Sequence, residues 1–231
     1  MTNMKKLVSI IIPALNEEKA ICKVIDSVPI KKLKAIGYET EIIVIDNGST
    51  DRTNFFARKK GAKVIVEKKK GYGNAYKTGF ANASGDIIVT GDADFTYPFE
   101  ILPEILLKME KENLDFINTD RLTYLGKRAM PKFNRIGNYF FSKLMKLLFR
   151  GFPFKDSQSG MWIFKKNILN NLNLKSRGMS FSQELKIEAY RKGFKCGEFP
   201  IKYRARIGKS KLKIFKDSMS NFLHLFKKIF D

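Results

Sequence analysis

The chain has 231 residues, 44% hydrophobic and 29% charged. That length can bury a sizeable core in one large domain, or a domain with an appendage, and the composition excludes wholesale disorder. Its formal charge of +21 is uneven: residues 1–115 carry 18 Lys and Arg against 16 Asp and Glu, and residues 116–231 carry 26 against 7. The second half therefore favours an anionic partner, whether nucleic acid, an acidic membrane surface or a phosphorylated substrate.

The opening MTNMKKLVSIIIPALNEE has an apolar run of only about five residues followed by acids, which predicts a first strand (Lys6 to Pro13) rather than a signal peptide. Asn16 to Val28 reads as a helix with two glutamates in its first turn, and EIIVID (Glu41 to Asp46) as a second strand closed by NGSTD. Thr50 or Asp51 caps the next predicted helix, to about Lys60. A third strand, Ala62 to Glu67, precedes a small-residue helix from Gly71 to Ala83. A fourth, Ile87 to Thr90, ends in GDAD, and a helix from Phe99 to Glu112 leads to a strand around Asp115 to Asn118. Arg121 to Pro131 reads as a basic, mobile loop. Asn134 to Arg150 reads as a helix with Ile136, Phe140, Leu144 and Leu147 on one face. DSQSG (Asp156 to Gly160) reads as a turn before MWIF, Ser182 to Lys192 as a helix, and GFKCGEFPIKYR as containing a strand. Lys211 to Phe230 reads as a helix with Leu212, Phe215, Met219, Phe222, Phe226 and Ile229 on one stripe. Cys22 and Cys196 are far apart without CxxC spacing, which points away from disulfides and zinc and towards the cytoplasm. No run of about 18 apolar residues announces a transmembrane helix.

Strands alternating with helices imply an α/β fold with a mostly parallel sheet covered on both faces, where ligands bind at the carboxyl ends of strands. Those ends read PALNEE, DNGSTD and GDAD, delivering Glu17, Asp46, Asp92 and Asp94 to one rim. Two carboxylates at i and i+2, Asp92 and Asp94, can share a hard divalent cation, Mg2+ or Mn2+, that would bridge a nucleotide's diphosphate. Asp46 either accepts hydrogen bonds from a nucleoside or forms an Asx turn. Glu17 either holds a ribose hydroxyl or compensates a helix N-terminus. GYGNAYKTGFANASG lacks GK[ST] and is no phosphate loop; its small residues suit close helix packing.

SIIIPALNEE, IDNGSTD, the glycine–alanine helix and GDADFTYP, in this order, resemble the family 2 glycosyltransferases of GT-A fold. FNRIGNYFFS, DSQSGMWIFKK and FSQELKIEAYRKGFKCGEFPIKYRARIGKSKL resemble the dolichol-phosphate mannose synthase-like branch, the polyprenyl-phosphate glycosyltransferases. The resemblance runs to about Leu212. It implies a GT-A domain over residues 1–211, with a nucleotide-sugar-binding half (1–120) and an acceptor-side half (121–211), followed by a basic amphipathic helix, 212–231.

It further implies that Pro13, Leu15, Glu17 and Asp46, with Asp92 and Ala93, face the nucleotide, and that Asp92 and Asp94 hold the metal. Arg121, Arg135, Arg206 and Lys211 match basic positions facing the donor diphosphate or acceptor phosphate, and Asp156 the carboxylate sometimes assigned as catalytic base. Thr96 stands where a third metal-side residue, often Gln, is usual. Thr96, Leu15 in place of tyrosine, and TYP in place of His-Pro-Pro favour a UDP-sugar over GDP-mannose. The implied activity is inverting transfer of a sugar from a nucleoside-diphosphate sugar to a polyprenyl phosphate lipid, at the cytoplasmic face of an anionic membrane surface. A phosphate acceptor needs little deprotonation, so a role for Asp156 confined to proton removal would make its replacement by Asn mild. Asp156 could instead simply form its turn. Lys209, Lys211, Lys213, Lys216, Lys227 and Lys228 mark the C-terminal helix for membrane or partner contact, while helix 134–150 suits core or membrane equally.

A family 2 enzyme acting on a sugar or polysaccharide is the main alternative. A nucleotidyltransferase would start with a Gly-rich basic signature where this chain has PALNEE. A nucleic-acid-binding module would need a motif or stacking platform that this sequence lacks, so no nucleic-acid partner is expected.

Overall fold

The computed structural model describes residues 6–126, 129–208, 210, 221–223, 225 and 228. Its elements run β1 (Lys6–Ala14), α1 (Ile21–Asp26), α2 (Ile30–Ala35), β2 (Tyr38–Asp46), α3 (Thr53–Lys59), β3 (Lys63–Val66), α4 (Tyr72–Asn82) and β4 (Ile87–Thr90). A short 3-10 turn then leads into α5 (Leu102–Lys111), followed by β5 (Phe116–Asp120), α6 (Lys132–Leu148), β6 (Trp162–Lys165), α7 (Phe181–Arg191) and β7 (Cys196–Pro200). The strands form one sheet in the order β3-β2-β1-β4-β6-β5-β7. β6 is antiparallel to both its neighbours, while the β1–β2, β1–β4, β2–β3 and β5–β7 pairs are parallel. This is the mostly parallel GT-A architecture. β6 reverses because the β5–β6 connection, α6 included, re-enters the sheet at the end where it left instead of crossing over to the other end.

The β-branched strands are buried on both faces, as parallel sheets require. Ile10 and Ile12 of β1 face a core with α1, α2 and α5, through Val24, Leu33 and Leu106. Ile11 faces the other way, into a core with Tyr76 and Phe80 of α4, Met145 of α6 and Leu185 of α7. Gly79 of α4 lies so close to β1 that an added Cβ would sit 2.4 Å from Ile11 Cγ2, as the small-residue helix predicted.

The chain runs outward from β1 through β2 to β3, then returns to place β4 on the other side of β1. That reversal is the switch point where open α/β sheets bind ligands. The β1–β4 ladder ends at Ile11 and Thr90, so Pro13, which lacks an N–H, lies where the two strands have already parted. The rim there is built from Leu15 to Glu17 on one side and Asp92 to Asp94 on the other.

Two predicted helices differ. α1 begins only at Ile21, with no acidic residue in its first turn. Asn16 takes a left-handed φ of 52°, and residues 17–20 form a turn tied to the DNGSTD loop. In the predicted C-terminal helix, Asn221–Leu223, Leu225 and Lys228 are helical, but Leu225 and Lys228 are buried against α7. Lys228 Nζ lies 2.8 Å from Glu188 and 3.4 Å from Glu184. This end of the helix is thus committed to the core, and Lys228 does not face a membrane. Lys209, Lys211, Leu212, Lys213, Phe215, Lys216, Met219, Phe226, Lys227 and Ile229 lie outside the described residues.

Candidate active site

The first two loops are stitched together by short polar side chains. Asn16 Oδ1 accepts from the Thr50 N–H at 2.7 Å, and the Asn16 N–H donates to Ser49 Oγ at 3.0 Å. The Glu17 N–H donates to Thr53 Oγ1 at 2.8 Å. Asp46 is buried at the end of β2. Its Oδ1 accepts from the Ser49 N–H at 2.8 Å and its Oδ2 from Asn54 Nδ2 at 3.3 Å, so an Asx-type turn is present whatever else Asp46 binds. Glu17 is buried too, whereas Leu15 is partly exposed at the lip. Asn47, not singled out from the sequence, bridges β2 to the next loop: its Nδ2 donates to the Glu67 and Lys69 carbonyls, and its Oδ1 accepts from the Gly71 N–H.

Asp92, Ala93 and Asp94 follow β4 directly. Phe95 adopts a positive φ of 69°, a conformation that costs bulky residues about 1–3 kcal/mol and clusters at functional sites. Burial, then the Asp94 charge, push the Asp92 carboxyl up to about 7, against the opposing pull of Arg206 and Arg121. Asp94 Oδ1 accepts from the Thr96 N–H and hydroxyl at 3.0 and 2.6 Å, so Thr96 supports Asp94. Asp94 Oδ2 accepts from Arg206 Nε at 2.8 Å and lies 2.6 Å from its second nitrogen. Arg206 arrives on a strap after β7 that is laced to this loop: the Arg204 N–H donates to the Thr96 carbonyl and the Ile207 N–H to the Asp94 carbonyl, each at 3.0 Å.

Two crowded carboxylates, one already drawing a guanidinium, fit a hard cation. Among the described residues no cluster of three or more His, Cys, Asp or Glu forms a metal cage. Such a cation would take its remaining ligands from the diphosphate and water, as Mg2+ commonly does.

The third part is the DSQSG turn, which precedes β6. Because β6 is antiparallel, its start lies at the same rim as the ends of the parallel strands. Asp156 is fully buried. Arg121 grips it in a fork, Nε to Oδ2 at 2.6 Å and NH2 to Oδ1 at 2.9 Å, and the Arg121 N–H also donates to Oδ2 at 3.1 Å. Burial alone would raise the Asp156 carboxyl, but the Arg121 charge and hydrogen bonds hold it below its usual range. Glu198 of β7 accepts from the Lys155 and Asp156 N–H groups and from Asn118 Nδ2. The Gly160 N–H donates to Tyr97 Oη at 2.6 Å, and a Cβ on Gly160 would sit 2.9 Å from Tyr72 Oη and 3.6 Å from Asp92 Oδ1. Only glycine lets the turn close onto the Asp92 loop.

The structure thus gathers Glu17, Asp46, Asp92, Asp94, Arg121, Asp156 and Arg206 along one rim. Arg135 stands apart, exposed on α6, with its guanidinium 5.9 Å from the Tyr139 ring. Lys211 lies outside the described residues. Tyr97, Asn118, Lys186 and Glu198, which brace the DSQSG turn, gave no signal in the sequence.

Residues 9–172 match the Glycosyl transferase family 2 model. The chain belongs to glycosyl transferase family 2. It is 33% identical to the dolichyl-phosphate hexose transferase of Haloferax volcanii over 207 residues, covering 90% of this chain and 87% of that protein. It is 36% identical to the low-salt glycan biosynthesis hexosyltransferase Agl6 of the same organism over 211 residues, 90% of this chain but only half of that relative's length. Glucosyl-3-phosphoglycerate synthase from Mycobacterium tuberculosis, solved with Mn2+, UDP and phosphoglyceric acid, superposes with a TM-score of 0.78 at 23% identity, covering 97% of this chain and 78% of that one. That likeness shows the shared fold.

Proposed function

We propose that this family 2 glycosyltransferase moves a hexose, with inversion, from a UDP-sugar to a polyprenyl phosphate. The observation that carries the acceptor assignment is the locked state of Asp156. A sugar hydroxyl needs a general base, typically worth about 10²–10⁴-fold. Asp156 is buried, forked by Arg121 and held acidic, a poor base but a good anchor for a guanidinium. A phosphate acceptor brings its own negative charge. The similarity to a dolichyl-phosphate hexose transferase, which spans the acceptor half of the chain as well as the donor half, supports the same reading.

Pro13, Leu15, Glu17 and Asp46 bind and orient the nucleoside. Asp92 and Asp94 hold Mg2+ or Mn2+, which supplies a clamp on the diphosphate. An acceptor phosphate oxygen bonds to the anomeric carbon as the bond from that carbon to the diphosphate oxygen breaks, and the electron pair leaves with the diphosphate. Arg206 meets the charge that builds there, and Arg121 faces the acceptor side.

The site works against the cytoplasmic face of a membrane. α6 has no acidic residue and turns Phe133, Ile136, Phe140 and Leu147 outward at 63, 68, 56 and 80% exposure. Lys132, Arg135, Lys143 and Lys146 are exposed on the same helix, the pattern of an interfacial element. Among the described residues no helix is long and apolar enough to cross a membrane.

The test is nucleoside-diphosphate release from a panel of donors, with and without Mn2+ or Mg2+ and polyprenyl phosphate. Release from a UDP-sugar that needs both metal and lipid phosphate is the expected outcome. Release indifferent to the lipid but stimulated by sugars would replace the acceptor with a saccharide.

A further inference from the structure

Lys186 is fully buried at the centre of α7. Its Nζ donates to the Ser157 carbonyl at 2.7 Å, the Ser159 carbonyl at 2.6 Å and Ser182 Oγ at 3.0 Å. Those are three acceptors for the three protons of an ammonium; a neutral amine keeps only two protons for the two carbonyls, and the Ser182 hydroxyl would have to turn and donate to it. An ammonium buried beside Trp162 and Leu185 is costly unless it is fully hydrogen-bonded. Its two carbonyl acceptors flank Gln158, in the turn that carries Asp156.

The turn is therefore clasped at both ends by opposite charges. On the entry side the Glu198 carboxylate takes the Lys155 and Asp156 N–H groups; on the exit side Lys186 takes the Ser157 and Ser159 carbonyls. Between the clasps, Asp156 holds Arg121, and beyond them Gly160 rests against Tyr97 and Asp92. Moving the turn moves the acceptor-side guanidinium with it, while Gly160 keeps its own tie to Tyr97.

We propose that Lys186 is a positioning residue for the transfer reaction, fixing the DSQSG turn, and through it Arg121, in the geometry that receives the acceptor phosphate. This rests on the acceptor assignment above. The charged groups that face it are Asp156, Arg121 and Glu198. Burial pushes the ammonium down to about 7, Asp156 and Glu198 opposing and Arg121 adding to that effect. The clasp therefore loosens as pH rises through neutrality.

The protein reports on this directly. Trp162, the single tryptophan, has its ring 5.4 Å from Lys186 Nζ. The experiment compares wild type with Lys186→Met, which keeps the packing, and with the milder Ser182→Ala, which removes one acceptor and covers the case in which Lys186→Met fails to fold. Trp162 fluorescence of the wild type is expected to titrate near pH 7, and that step is expected to vanish in Lys186→Met. Binding of UDP with Mn2+ should be unchanged in both variants. kcat/KM for the acceptor should fall about 10–100-fold in Lys186→Met, the scale of a small misplacement of reacting groups, and less in Ser182→Ala. An unchanged acceptor kcat/KM in both variants, or the same fluorescence titration with and without Lys186, would overturn the proposal. A wild type that binds UDP and Mn2+ but transfers nothing to polyprenyl phosphate would instead overturn the acceptor assignment.

Discussion

Arg121 and Asp156 behave as one unit. Each is buried, and each meets the other through short, forked hydrogen bonds. Such a pair adds little net stability over an apolar replacement, but removing one partner strands the other, at a cost of about 3–5 kcal/mol. Asp156→Asn is therefore expected to lower both the melting temperature and the activity sharply, not mildly as a dispensable proton acceptor would. Thermal melts alongside acceptor assays check this, and a variant of wild-type stability and activity would contradict it. The pH dependence has a definite sign. The Asp156 carboxyl is held below its unfolded value of about 3.9. Its contribution is present above that value and is lost as pH falls through the lower folded value, so the acid limb of the wild-type stability curve should be steeper than that of Asp156→Asn.

At the scale of elements, the sequence and the structure agree most where the signal is local. β-branched runs, their carboxylate-bearing ends and the small-residue helix α4 were all legible from spacing, as was the meeting of Asp46, Asp92 and Glu17 at one rim. The six-residue α2 follows Pro29 and is too short to show a period. The braces of the DSQSG turn escaped notice because each is long-range: Lys186 meets a residue 29 positions away and Glu198 one 42 positions away. Of the face that periodicity picked out on α6, Ile136, Phe140 and Leu147 are exposed while Leu144 packs on the core with Phe141 and Leu148; periodicity left its direction open, because a helix packed on a core and one lying on a bilayer share the same moment. Ser142 and Met145 point inward, which turns the Ile136–Phe140 face out. Leu225 and Lys228 near the C-terminus went the opposite way, with Lys228 drawn inward by Glu184 and Glu188. Replacing Ile136 and Phe140 of α6 together by Asp is expected to abolish co-sedimentation with anionic vesicles while leaving UDP binding intact. Vesicle binding equal to wild type would move the membrane contact off α6.

Over the whole molecule, the excess positive charge belongs to the half that follows β5, while the half before it is nearly neutral. Each basic side chain near an anionic bilayer contributes about 1 kcal/mol, screened over roughly 10 Å at 0.1 M salt and 3 Å at 1 M. Vesicle affinity should therefore fall steeply between those concentrations. A salt-independent vesicle affinity would assign the attraction to apolar insertion alone. The two halves are separable in another sense. β5 and β6 are antiparallel neighbours, with Asn118 beside Trp162. The chain leaves the sheet at residue 121 and re-enters at residue 162 next to where it left. Arg121, α6 and the DSQSG turn thus form a single excursion from one gap in the sheet. Its length and content can change without rethreading any strand, so that stretch can be rewritten while the strand ends that carry Asp46, Asp92 and Asp94 stay where they are.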